Sequence, residues 1–252
     1  MRSIVSMLNN RGYKTIGLDT VRGFVTDSEN YKELIRLCEE NEKAGDEPFF
    51  CFNITMQKHG GYIAEPYEDI VAKGNEDNSE LSTYLSMINK SDDVLRELIR
   101  YFEQVDEDTI ILFFGDHQPL LRTEFYEKIY GKPYVSFTAE ELKSVYNVPY
   151  LIWSNYELNK EAAPKETSIC YLANILFETG NIPKSTWINM FAEYQKSYPI
   201  VTENFIERSD GNVYEVNTIM NTIAKNKKDS LNLYQKYSYG ILYGLKNWKA
   251  RD

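Results

Sequence analysis

Thr109-Ile110-Ile111-Leu112-Phe113-Phe114-Gly115-Asp116-His117-Gln118-Pro119 is the stretch on which the fold of this 252-residue chain turns. Residues 109–114 form a continuous apolar run of the length and composition expected for a strand covered on both faces. The run stops at Gly115, and Pro119, which has no N–H to donate, prevents the strand from resuming. Asp116 and His117 are therefore placed just past a strand end, where open α/β sheets form their sites.

Two further runs have the same character. Residues 48–55 (PFFCFNIT) read as a second buried strand that ends in the loop Met56-Gln57-Lys58-His59-Gly60-Gly61, and residues 148–153 (VPYLIW) read as a third. A shorter β-like run, residues 13–18, follows the turn signal Asn9-Asn10-Arg11-Gly12. Helical patterns separate the runs. Residues 28–43 place Leu34, Ile35, Leu37 and Cys38 on one side, and Asn78-Ser79 caps a long pattern in which Leu81, Tyr84, Leu85, Ile88, Leu95, Leu98, Ile99 and Phe102 recur every three or four positions. Residues 167–177, closed by Gly180, predict another helix, and so do residues 185–196 and 213–225. Strands alternating with helices imply an α/β fold with a mostly parallel sheet flanked by helices, here residues 1–200, and a helical C-terminal extension over residues 201–252 packed on it.

Composition narrows the function. A hydrophobic content of 42% fills a core, while a net charge of −10 leaves no basic surplus to displace counterions from nucleic acid. Cys38, Cys51 and Cys170 are too few and too scattered for a disulfide framework, and read as buried thiols. Residues 1–10 contain only short apolar pieces, well below a signal h-region or a spanning helix, so an isolated product is expected to stay in the cytoplasm.

The chain has two histidines, His59 and His117, and each follows a predicted strand. An Asp-His pair offers one hard oxygen and one imidazole nitrogen, a ligand set suited to Mn²⁺, Zn²⁺ or Mg²⁺ acting on a phosphate or sulfate ester. Asp116 suits a turn cap equally well on its own. His59 reads either as a solvated loop residue or as a substrate-facing one. The adjacent Gly60 and Gly61 would permit positive φ and close approach of a ligand to the backbone.

The motifs FNITMQKHGGY (52–62), ILFFGDHQP (111–119) and PYLIWSNY (149–156), with the closing YSYGILYG (237–244), resemble those of the lipoteichoic acid synthase and sulfatase-like branch of the alkaline phosphatase superfamily. The likeness extends over residues 24–246. It implies a domain that transfers glycerol phosphate from phosphatidylglycerol, or hydrolyses related esters, at the outer face of a bacterial membrane. It implies that Asp116 and His117 ligate Mn²⁺ and that His59 contacts the substrate phosphate, a glycerophosphate-type lipid or polymer.

The departures from the family pattern are equally informative. Its remaining acidic ligand and its threonine nucleophile come from an N-terminal half without a counterpart here, so no catalytic residue is identified, and Thr55, though near a strand end, has no activating neighbour in the sequence. The segment carrying the substrate-gripping Arg is also missing, because residues 19–24 join the flanking motifs directly. The expectation is a truncated or degenerate member with the N-terminal part of the domain missing, inactive alone and completed by a separately encoded N-terminal half. Alternatives are a non-catalytic module binding glycerophosphate-type anions, and a hydrolase whose metal site is rebuilt from Asp19 or Asp27. A sheet lacking its first strands exposes an edge, so self-association is expected.

Overall fold

The computed structural model describes residues 4–19, 26–45, 47–60, 62, 79–119, 121–202 and 204–216. The chain divides into two compact units, one of residues 4–109 and 119–129, the other of residues 1–3, 110–118 and 130–252.

In the first unit a short helix α1 (Ile4–Asn9) turns at Gly12, whose φ of 85° is left-handed, into strand β1 (Lys14–Asp19). Helix α2 (Asp27–Gly45) then crosses over to strand β2 (Phe49–Ile54), which pairs in parallel with β1 from Lys14↔Phe49 to Asp19↔Ile54. Thr26 and Glu29 start α2 as a capping box: the Thr26 hydroxyl accepts from the Glu29 N–H at 3.2 Å, and the Glu29 carboxylate accepts from the Thr26 N–H at 3.1 Å. The register puts Leu18 and Asn53 on the face toward α2, where Asn53 donates to Asn30 Oδ1 at 2.6 Å. The opposite face carries Phe52 and Ile54, which are 48% and 44% exposed. Among the described residues, then, the strand within residues 48–55 is covered on one face and not on both.

Helix α3 (Ser79–Phe102) adds Met87, Leu95, Leu98 and Phe102 to this unit's core. Its first half buries Ser82, Thr83 and Ser86, and its middle buries Ser91, while Ile88, expected on the inner face, is exposed. Ser86 satisfies its hydroxyl within the helix, donating to Ser82 O at 2.9 Å. Helix α4 (Thr123–Tyr130) follows, and Phe125 and Tyr126 pack with Tyr62, Met87 and Leu121.

In the second unit strand β3 (Ile110–Phe114) pairs with β4 (Tyr150–Ser154), and the pairing is antiparallel, from Ile110↔Ser154 to Phe114↔Tyr150. Helix α5 (Ala139–Tyr146) lies between them in sequence, opened by a capping box of Thr138 and Glu141. One face of the ladder, Leu112, Phe114, Tyr150 and Ile152, packs on Tyr171, Leu172, Ile175 and Tyr194. Those residues belong to a 3-10 turn, to helix α6 (Leu172–Thr179) and to helix α7 (Thr186–Ser197), whose first turn is capped by Ser185. Three short strands, β5 (Ile200–Val201), β6 (Phe205–Glu207) and β7 (Val213–Glu215), make a further antiparallel ladder.

The α/β class is present, with helices flanking small sheets. Among the described residues parallel pairing is confined to β1 and β2, because an apolar run reveals burial but not the direction of its partner. The helical reading of residues 213–225 fails at its start, where residues 213–215 are the second arm of a hairpin turned by Asp210-Gly211, with Gly211 at φ 81°. Residues from 217 onward, with most of the expected extension and the closing YSYGILYG motif, lie outside the described residues.

Candidate metal and phosphate site

Strand β3 delivers Asp116 and His117 to a surface tip. Gly115 N donates to Pro149 O at 3.1 Å, which extends the β3–β4 pairing to the tip, and a Cβ at Gly115 would sit 3.1 Å from Val148 Cβ. Glycine thus lets the two strands stay close at the point where the site begins. Asp116 folds back through Oδ1, which accepts from His117 N at 2.9 Å. Gln118 is held by its side-chain amide, which donates to Asn147 O.

The geometry orients the imidazole. His117 Nδ1 lies 2.8 Å from Gln118 O; a carbonyl only accepts, so Nδ1 carries the proton and, in the neutral ring, Nε2 carries the lone pair. Nε2 is 3.5 Å from Asp116 Oδ2. Two acceptors this close, with the ring fixed by a backbone carbonyl, are of the donor types that a divalent cation takes. The pair fits such an ion as two of its ligands. Among the described residues no group of three or more His, Cys, Asp or Glu side chains gathers to close a site. The side chains are 61% and 81% exposed for His117 and Asp116, so water would complete the coordination sphere.

His59 belongs to the other unit, in the loop beyond the C-terminal end of β2. The loop turns tightly, with His59 N donating to Met56 O at 3.0 Å, and the imidazole is exposed. Gly60 does not use the left-handed freedom expected of it, and Gly61 lies outside the described residues. What shapes the loop is its side chains. Gln57 Oε1 accepts from Asp27 N at 2.7 Å at the start of α2, Lys58 Nζ donates to Asp27 Oδ2 at 2.8 Å, and Tyr62 donates its hydroxyl to Lys58 O at 3.0 Å.

This buried cluster was not legible as a site in the sequence. Asp27 and Lys58 are 31 positions apart in segments read separately, and Ser91 lies on a helix read only for its apolar stripe. The one local signal was the Thr26-x-x-Glu29 box, which marks where α2 starts and so where Asp27 turns inward. The same contacts correct one expectation: Asp27, offered as a ligand for a rebuilt metal site, is buried against Lys58 and Ser91. The described surface also has a shallow hollow lined by Glu42, Tyr101, Asp106 and Glu107; α2 runs toward it from the His59 end of β2, which separates it from the loop.

Burial raises two thiols. Cys38 on α2 is pushed up to about 12, by burial first and by the neighbouring Cys51 second, and Cys51 on β2 is pushed up to about 11 by burial. Neither thiol is poised as a nucleophile. All three cysteines are half-buried rather than enclosed.

A putative cyclic beta-1,2-glucan modification protein of Rhizobium meliloti (strain 1021) is 33% identical over 57% of the chain, which spans 25% of that protein's length. Among solved structures, the lipoteichoic acid synthase LtaP from Listeria monocytogenes superposes with a TM-score of 0.52 at 15% identity, covering 94% of this chain and 72% of LtaP. The Streptococcus pyogenes phosphoglycerol transferase GacH, in complex with sn-glycerol-1-phosphate, superposes with a TM-score of 0.50 at 23% identity, covering 67% of this chain and 41% of GacH. These two likenesses establish a shared fold. The model of the Sulfatase family matches residues 1–182, and the chain belongs to the sulfatase family.

Proposed function

We propose that this chain carries part of a sulfatase-family site of the phosphoglycerol transferase kind, with Asp116 and His117 as two ligands for Mn²⁺ and His59 as a contact for a substrate phosphate, and that it turns nothing over by itself. The observation that carries the reading is the convergence of Asp116 Oδ2 and His117 Nε2, 3.5 Å apart, at the end of β3 without a third ligating side chain among the described residues. A divalent ion bound there would act as a Lewis acid on a phosphoryl oxygen. This chain's own residues hold the carboxylate and the imidazole in place, and the remaining ligands and the nucleophile would be supplied from outside this pair, with a glycerophosphate-type lipid or polymer as substrate.

The test is calorimetric titration of the chain with Mn²⁺, alongside the Asp116→Ala, His117→Ala double variant and turnover assays with a phosphodiester and an aryl sulfate. Weak binding that the double variant abolishes, with no turnover, is the expected result. Turnover by the chain alone that the double variant abolishes would establish a complete site and overturn the reading.

A second reading, a module that binds glycerophosphate-type anions without chemistry, draws support from the His59 loop. Its backbone is tied down by Gln57, Lys58 and Tyr62 while the imidazole stays exposed. Binding of sn-glycerol-1-phosphate that requires His59 but neither Mn²⁺ nor Asp116 would favour it.

A further inference from the structure

The loop that carries His59 contains one lysine, and that lysine faces inward. Lys58 is only 20% exposed, and its ammonium donates to Asp27 Oδ2 at 2.8 Å and to Ser91 Oγ at 3.0 Å, while Ser91 donates to the same carboxylate oxygen at 2.6 Å. Asp27 is 1% exposed. Its other oxygen, Oδ1, is buried without a partner, so the carboxylate depends on Lys58 and Ser91 for its side-chain contacts. The residue before Lys58 is tied to the same place, because Gln57 Oε1 accepts from Asp27 N at 2.7 Å. Beyond the turn, Tyr62, buried against Tyr84 and Met87, donates to Lys58 O at 3.0 Å. Three elements, the start of α2, the middle of α3 and the residue after the turn, therefore converge on Lys58, the residue immediately before His59.

We propose that Lys58 is a positioning residue: clamped by Asp27 and Ser91, it sets the course of the loop and so the place at which His59 meets an anion, while giving no charge of its own to that anion. Two physical reasons carry this. A lysine in a loop that receives phosphate is ordinarily a point charge for the ligand, but here the ammonium is already matched to a buried carboxylate. A buried ion pair with one anchored partner also holds a loop in one conformation, because moving Lys58 outward leaves Asp27 uncompensated. The inference rests on the reading of His59 as a phosphate contact, and the experiment below separates the two.

The measurement is amide hydrogen exchange at His59, whose N–H donates to Met56 O, together with the shift of the His59 ring resonance on adding sn-glycerol-1-phosphate or inorganic phosphate. Lys58→Met removes the ammonium, and the Asp27→Asn, Lys58→Met double variant removes both charges, so that a folded protein remains if the single variant unfolds. In the folded variant, exchange at His59 should quicken about tenfold while that of Leu98 in α3 stays unchanged, and affinity for the probe should fall by about the same factor. Unchanged exchange at His59 overturns the proposal. So does a loss of affinity without faster exchange, because that outcome makes Lys58 a direct ligand. If neither probe moves the His59 resonance of the unaltered chain, the phosphate-contact reading fails, and the exchange rates still decide whether Lys58 positions the loop.

Discussion

Ser91 on α3 donates its hydroxyl to Oδ2 of Asp27 on α2 at 2.6 Å, across 64 positions of sequence. Together with Lys58 this joins two helices and the His59 loop at one buried carboxylate, and the cost of breaking it depends on which partner is removed. Lys58→Met strands an anion that is 1% exposed and should destabilise the chain by about 3–5 kcal/mol, whereas Ser91→Ala removes one of two side-chain donors and should cost about 1–3 kcal/mol. Asp27→Asn should fall below Lys58→Met, since Lys58 is 20% exposed and reaches water more easily. Urea unfolding of the three variants checks the order, and equal losses would contradict it.

The thiols predict alkaline sensitivity. Cys51 is raised to about 11 and Cys38 to about 12, so in the fold both keep their protons at pH values where an unfolded chain ionises. The sign follows: the unfolded state loses protons first, and stability is full below the ordinary thiol range and declines as pH rises toward 11. Burial raises Tyr62, Tyr84 and Tyr150 in the same direction. Denaturation midpoints should therefore fall between pH 8.5 and 10.5, roughly the window of free thiol and phenol ionisation. At pH 8 iodoacetamide should label Cys51 about a hundredfold more slowly than a small free thiol, for lack of thiolate.

Phe52 and Ile54 alternate along one face of β2 and are 48% and 44% exposed. Parallel sheets are normally covered on both faces, so an apolar parallel face left open favours association. The chain should sediment as concentration-dependent oligomers, and a Phe52→Lys, Ile54→Lys variant should shift toward monomer. A sharp monomer before any substitution would refute this.

At the end of α6 the structure leaves no room for a side chain. A Cβ at Gly180 would lie 2.7 Å from Ile110 Cδ1 and 2.8 Å from the Tyr156 hydroxyl, which itself donates to Gly180 O at 3.0 Å. Gly180→Ala should cost about 1–3 kcal/mol through overpacking and the displaced tyrosine, measured as a lowered midpoint in thermal unfolding.

Much of the architecture could be read directly from local patterns. The apolar runs marked β2, β3 and β4 to within a residue or two, the three-and-four spacing marked α2 and α3, and the motifs around His59 and Asp116-His117 placed both histidines beyond strand ends. Those features depend on neighbours within a few positions, which is the range over which hydrophobic periodicity and turn chemistry act. The Asp210-Gly211 hairpin was equally local, and a helical reading of the residues after it took its place.

The antiparallel direction of β4 against β3, the bare face of β2 and the inward course of Lys58 had no such local signature. Each depends on which distant segment arrives as a partner: Phe114 meets Tyr150, and Lys58 meets Asp27 and Ser91. The amino-acid sequence by itself determined where strands, helices and the two histidines lie along the chain, because those are decided by side chains close in sequence. Only the tertiary structure decided that Lys58 turns away from the surface His59 faces, because a buried charge takes its direction from the opposite charge it must meet, and Asp27 reaches that point only when α2 has folded back beside β2.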